Sequence, residues 1–137
     1  MFKPGMKVVY EGGLRNRATH VRSGNTLMTD APPDNNGKGE AFSPTDLLCT
    51  SLAACMITLM GIAAASKEIA TGKIEAEIEK VMAADPRRVS KIIIAFKIED
   101  KNYTEREKSI LENAALTCPV AKSLHPDISQ NISFQYE

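Results

Sequence analysis

The stretch Phe42-Ser43-Pro44-Thr45-Asp46-Leu47-Leu48-Cys49-Thr50-Ser51-Leu52-Ala53-Ala54-Cys55, continued by Met56-Ile57-Thr58-Leu59-Met60-Gly61-Ile62-Ala63-Ala64-Ala65, decides how the rest of the chain is read. Ser43 is a natural N-cap and Pro44 suits the first helical position. Asp46, three residues after the cap, puts negative charge at the positive end of a helix. The pattern predicts one helix running to about Ser66 or Lys67. From Leu47 to Ala65 it carries no charge and is apolar or small on every face. A helix apolar all round is either buried or spans a membrane. Its length is near the ~20 residues a span needs. Thr50, Ser51, Thr58 and Gly61 dilute it, however, and strand patterns lie on both sides. The expectation is therefore a central helix packed on every face, with no membrane. A 137-residue chain has trouble covering such a helix alone, and a homodimer burying two of them together solves the problem.

Outward from the helix, the chain before it reads as three strands: Lys7 to Glu11, Leu14 to Val21, and Thr26 to Thr29. Gly12-Gly13 and Ser23-Gly24-Asn25 are the turns between them. Ala31 to Ala41 is a loop crowded with Pro, Gly, Asp and Asn. After the helix, Lys73 to Met82 alternates, with Ile74, Ala76 and Ile78 on one face and Glu75, Glu77 and Glu79 on the other. Asp85-Pro86 marks a turn, and Val89 to Ile98 returns as the second arm of an antiparallel hairpin. Thr104-Glu105-Arg106-Glu107 is a capping box opening a helix to about Leu116. Pro119 fits the first turn of a short helix beginning at Cys118, and Ser129 to Tyr136 alternates as a closing strand. The class is α+β, in one domain over residues 1–137.

Bulk properties exclude several functions. Lys plus Arg is 17 and Asp plus Glu is 17, giving a net charge of zero. That argues against a broad electrostatic surface for nucleic acid or anionic membrane. The N-terminal residues lack an apolar signal core, so the expected location is cytoplasmic. Three cysteines without a Cys-x-x-Cys make neither a secreted disulfide framework nor a zinc knuckle. His20 and His125 have no partner at metal-ligand spacing. Phosphate-cradling and dinucleotide-binding fingerprints are absent. No metal and no cofactor are expected.

What remains is thiol chemistry. Cys55, inside the apolar helix, is on these grounds alone either a small core hydrophobe or a nucleophile waiting for a nearby cation. Cys49 lies six residues earlier, about 120° around the helix from Cys55, and reads as plain core. Cys118 stands where backbone N–H groups of a helix start favour a thiolate. The alternative is a cysteine merely tolerated before Pro119. Arg15 and Arg17 are two apart and share one face of their strand. That face either approaches the Cys55 helix or simply carries charge into solvent.

Together, the Phe42–Cys55 run and Cys118-Pro119-Val120 resemble the OsmC/Ohr family of thiol-dependent hydroperoxide reductases. The likeness extends to the early strands, the Thr29-Asp30-Ala31-Pro32 loop, the hairpin and the last strand. The resemblance implies an intertwined homodimer, with antiparallel sheets wrapped around long central cysteine-bearing helices. It implies reduction of organic hydroperoxides in oxidative stress defence, with Cys55 peroxidatic, Cys118 resolving and a disulfide intermediate. A small dithiol or dihydrolipoyl protein would be the reductant. A substrate pocket lined by Leu52, Met56 and Met60 would favour alkyl hydroperoxides. Two positions depart from the family pattern. Thr45 stands where well-studied members carry a Glu that orients the catalytic Arg. Leu14 stands where that Arg follows Gly-Gly, so Arg15 comes one residue later. A one-residue shift swaps strand faces unless a bulge restores them. These departures leave open two other readings of the same scaffold: a non-catalytic dimer binding a small apolar ligand, and a redox sensor using the same cysteine pair.

Overall fold

The computed structural model describes residues 1–137, which fall into two compact units, Met1–Leu48 and Cys49–Glu137. The first unit is a three-stranded antiparallel sheet of β1 (Met6–Gly12), β2 (Arg15–His20) and β3 (Thr26–Asp30), in that order. Gly12, Gly13 and Leu14 all take positive φ at the β1–β2 turn, where glycine bears no steric penalty. The register slips between Tyr10 and Gly12, leaving Glu11 unpaired. This bulge lies on β1, so β2 keeps its alternation and Arg15 and Arg17 share a face. The unit has no apolar core of its own. Its buried residues are Thr29, Asp30 and Ser43, whereas Met6, Val8, Tyr10 and Leu27 are exposed.

A helix, α1 (Pro44–Ser66), begins at the end of this unit and runs through the start of the second. The expected cap forms reciprocally: the Asp46 N–H donates to Ser43 Oγ (3.0 Å) and the Ser43 N–H donates to Asp46 Oδ2 (2.9 Å). By length and composition α1 is apolar enough to cross a membrane. Within this chain it is not packed on every face. Cys49, Leu52, Ala53, Met56, Met60 and Ala64 are buried, at the three- and four-residue spacing of one helix side. Ser51, Ala54, Thr58 and Ile62 on the other side are exposed.

The second unit's sheet is β4 (Ile74–Ala83), β5 (Arg88–Ile98) and β6 (Ser129–Tyr136), with β5 in the middle. Alternate β5 residues Ile92, Ile94, Phe96 and Ile98 are each at most 1% exposed. They meet the buried side of α1 and Leu111 and Ala115 of α2 (Glu105–Leu116) in one core. The Thr104–Glu107 capping box opens α2 as its sequence requires. The family resemblance implies antiparallel sheets, and the β4–β5 hairpin is antiparallel. In contrast, β6 runs parallel to β5. A parallel neighbour needs a long crossover, and residues 99–128, carrying α2 and the short α3 (Pro119–Ser123), supply it. That register sets Phe134 beside Phe96, with ring centroids 5.4 Å apart and stacked.

Candidate functional site

In the second unit the crossover brings Cys118 to Cys55. Cys118 is the N-cap of α3, with Pro119 in the first turn, and its Sγ accepts a hydrogen bond from the Ala121 N–H (3.2 Å). The two thiols are close enough to interact through their side chains. Their settings differ. Cys118 is completely buried, while Cys55 is partly exposed. Cys49, also buried, belongs to the core.

This asymmetry reverses one expectation. Helix-start N–H groups were expected to favour a Cys118 thiolate. Burial instead pushes the Cys118 thiol up from its ordinary range, and the Ala121 N–H only partly opposes it. The adjacent Cys55 raises it further. A five-residue helix carries too little dipole to outweigh removal from water. At neutral pH Cys118 therefore keeps its proton and can donate a hydrogen bond to a neighbouring sulfur.

Leu52, Met56 and Met60 are fully buried on the core side of α1. The helix sector around Cys55 holds Ser51, Thr58, Leu59 and Ile62. Ile62 is well exposed and Leu59 partly so.

Arg15 and Arg17 are both anchored within the first unit. Arg17 is half-exposed and makes an ion pair with Glu11, the bulge residue, at 2.9 Å. Arg15 grips Asp30 with two bonds, Nε to Oδ1 at 2.7 Å and Nη2 to Oδ2 at 2.8 Å. Nη2 also donates to Glu40 Oε1 at 3.2 Å. Asp30 is 1% exposed and accepts a further bond from the Glu40 N–H, at 3.1 Å. Hydrogen bonding from Arg15 holds the Asp30 carboxyl below the usual range, against the pull of burial. Thr45 and Asp46 are engaged at the α1 cap, where Thr45 Oγ1 lies 3.2 Å from Ser43 Oγ.

The sequence reading missed Asp30 and Glu40. Half the signal was present, because the Ser23–Asn25 turn fixes the β2–β3 register, and that register sets Arg15 directly opposite Asp30. The Glu40 contact depends on the path of the loop Ala31–Ala41, which carries no periodicity.

Comparison with known proteins places the geometry in a family. The family model described as OsmC-like protein matches residues 37–133, crossing the division between the two units. No curated protein matches the chain. Among solved structures, one from Psychrobacter arcticus, assigned to osmotic stress induction and the detoxification response, is 52% identical. It covers 98% of both chains at a TM-score of 0.93. An OsmC-like protein from Mycoplasma pneumoniae is 21% identical over 99% of both chains, at a TM-score of 0.80. An organic hydroperoxide resistance protein OsmC from Legionella pneumophila is 19% identical over 98% of both chains, at 0.72. With a family model spanning most of its length and a relative identical at half its positions, the chain belongs to the OsmC-like protein family.

Proposed function

We propose that this protein reduces organic hydroperoxides through Cys55 and Cys118, as part of a defence against oxidative stress. The observation that carries the reading is the unequal pair: a partly exposed Cys55 beside a fully buried Cys118 that holds its proton. A peroxide arriving from solvent meets Cys55 first, and the buried partner is positioned to act second.

The steps balance. The Cys55 thiolate attacks the terminal oxygen of ROOH and the O–O bond breaks. The alkoxide takes a proton and leaves as ROH, and Cys55 becomes a sulfenic acid. Cys118 then attacks that sulfur, an S–S bond forms and water departs. A dithiol or dihydrolipoyl reductant restores both thiols by exchange and is itself oxidised to a disulfide. Arg15 is the better of the two guanidinium candidates, because two carboxylates hold it in place, whereas Arg17 is half-exposed. An alkyl chain would lie against the apolar surface of α1. Leu52, Met56 and Met60 back that surface, and Leu59 and Ile62 meet the substrate directly. Apolar lining favours alkyl over hydrogen peroxide.

The working form is a homodimer in the cytoplasm, where thiols start reduced, with both units of each chain in one OsmC-like domain. Support comes from a sheet without an apolar core and a long helix with one uncovered side. Exposed apolar area on that scale marks a surface meant for covering.

Reduced protein treated with a slight excess of cumene hydroperoxide tests the proposal. Loss of two hydrogens and two thiols within seconds, mapped to Cys55 and Cys118, is the expected result. Thiols unchanged after many minutes would overturn it and point instead to a dimer that binds a small apolar ligand.

A further inference from the structure

One residue of β6 breaks the apolar row that faces the core. Ile132, Phe134 and Tyr136 pack against the core, whereas Gln130, on the same side of the strand and opposite the fully buried Ile92, carries an amide. Half-burying an amide on such a row is costly unless it finds a partner there. Gln130 finds one in α3: its Nε2 donates to the Ala121 carbonyl at 3.2 Å.

That carbonyl has need of a donor. Because α3 ends at Ser123, no helical N–H follows to take it. The other hydrogen bonds of α3 are internal. The Lys122 N–H donates to the Cys118 carbonyl (3.2 Å), Ser123 Oγ to the Pro119 carbonyl (2.8 Å), and the Ala121 N–H to Cys118 Sγ (3.2 Å). The peptide joining Ala121 to Lys122 is thus held at both ends, its N–H by Cys118 and its carbonyl by Gln130. Gln130 ties the turn that carries the Cys118 sulfur to the sheet.

This matters at one chemical step. When Cys118 attacks an oxidised Cys55, an S–S bond forms, the S–O bond breaks, and the hydroxyl leaves as water with the Cys118 proton. Buried Cys118 gives up that proton unwillingly. A donor already in place as charge develops on its sulfur lowers the barrier. The Ala121 N–H is that donor, and a displaced turn would lose both the donor and the line of attack.

We propose that Gln130 is a positioning residue for disulfide closure: its amide holds the α3 turn so that Cys118 Sγ meets Cys55 while keeping the Ala121 N–H. The inference deepens the function proposed above and rests on it for the oxidant. Every residue involved lies in the unit Cys49–Glu137.

The test separates oxidation from closure. Reduced protein is mixed with one equivalent of cumene hydroperoxide, quenched at intervals with N-ethylmaleimide and measured by intact mass. Wild type, Gln130→Leu and Gln130→Glu are compared, with folding checked by circular dichroism. Leu removes the donor, and Glu keeps the length but sets an acceptor against the carbonyl; should Gln130→Leu fail to fold, Gln130→Glu decides. In both variants Cys55 should gain its first oxygen at the wild-type rate. Closure should slow by about tenfold or more, toward the ~10²-fold that a displacement of about 1 Å brings. Under excess peroxide a larger share of Cys55 should then carry two and three oxygens. A merely structural glutamine would lower stability without moving this partition. Folded variants that close at the wild-type rate, or that slow both steps alike, would overturn the role of Gln130 and leave the cysteine chemistry standing. Closure is also driven with diamide, which adds to one thiol and leaves as the hydrazine when the other attacks. A wild type inert to peroxide would remove the proposed function, and the rate of diamide closure in the variants would then decide for or against Gln130.

Discussion

Cys118 lies fully buried against the partly exposed Cys55, and the two meet only because a parallel crossover returns α3 toward α1. The order of events in the proposed chemistry follows from this relationship. In that proposal the accessible sulfur is oxidised first and the sequestered one resolves it.

Substitution of the two cysteines should therefore give different phenotypes. Cys55→Ser should reduce peroxide consumption to the uncatalysed rate. Cys118→Ser should still react once, then gain one, two and three oxygens on Cys55 under excess peroxide. Intact mass against time distinguishes the two. A Cys118→Ser protein that turns over as the wild type does would remove Cys118 from the mechanism.

Burial of Cys118 also has a thermodynamic signature. Its thiol is raised above the ordinary value of 9.0, chiefly by desolvation. In the unfolded chain it ionises near that ordinary value, so above it the unfolded state releases a proton that the folded state retains. The thiol's contribution to stability is fully present below pH ~9 and is lost as pH rises through the folded value. Urea unfolding from pH 8 to 10.5 should show a steeper loss in wild type than in Cys118→Ala. Equal slopes would mean that Cys118 is solvated.

Local features of the fold were legible because their physics is local. Ser43 with Asp46, and Thr104 with Glu107, announce helix starts through side chains that reach only three residues. The alternation of Ser129–Tyr136 announces a strand for the same reason. Strand direction was not legible for β6. Periodicity is the same for parallel and antiparallel neighbours, and the choice is made by the path of the crossover from residue 99 to 128. Likewise the motif named Cys118 but not its burial, which depends on Leu111, Ala115 and β5 closing around it. Arg15 was legible as a candidate, while its partners were hidden across a hairpin and along an irregular loop.

Association should follow from the faces a single chain leaves open. Val8 lies opposite Ala18, which lies opposite Leu27, so the three form an apolar row across the first sheet. Val8 and Leu27 are 64% and 46% exposed. Multi-angle light scattering should give twice the mass of one chain. Val8→Glu places a charge in the row, which is expensive to bury unpaired, and should shift the species toward monomer by tenfold or more in dissociation constant. A monomeric wild type at tens of micromolar would sink the dimer.

Stability of the second unit should depend far more on its core than on its caps. Phe96 is 1% exposed on the central strand and stacks on Phe134. Phe96→Ala removes a large buried ring and leaves a cavity between sheet and helices, at a cost of about 3–5 kcal/mol. Thr104→Ala removes one side-chain acceptor and half of the α2 capping box, costing about 1 kcal/mol. Urea denaturation followed by circular dichroism compares them directly. Thr104 lies at the exposed entrance to α2 and Phe96 deep in the sheet, so the double variant should lose close to the sum. A Phe96→Ala protein losing no more than Thr104→Ala would mean that β6 does not pack on β5 as described, and with it the crossover that carries Cys118 to Cys55.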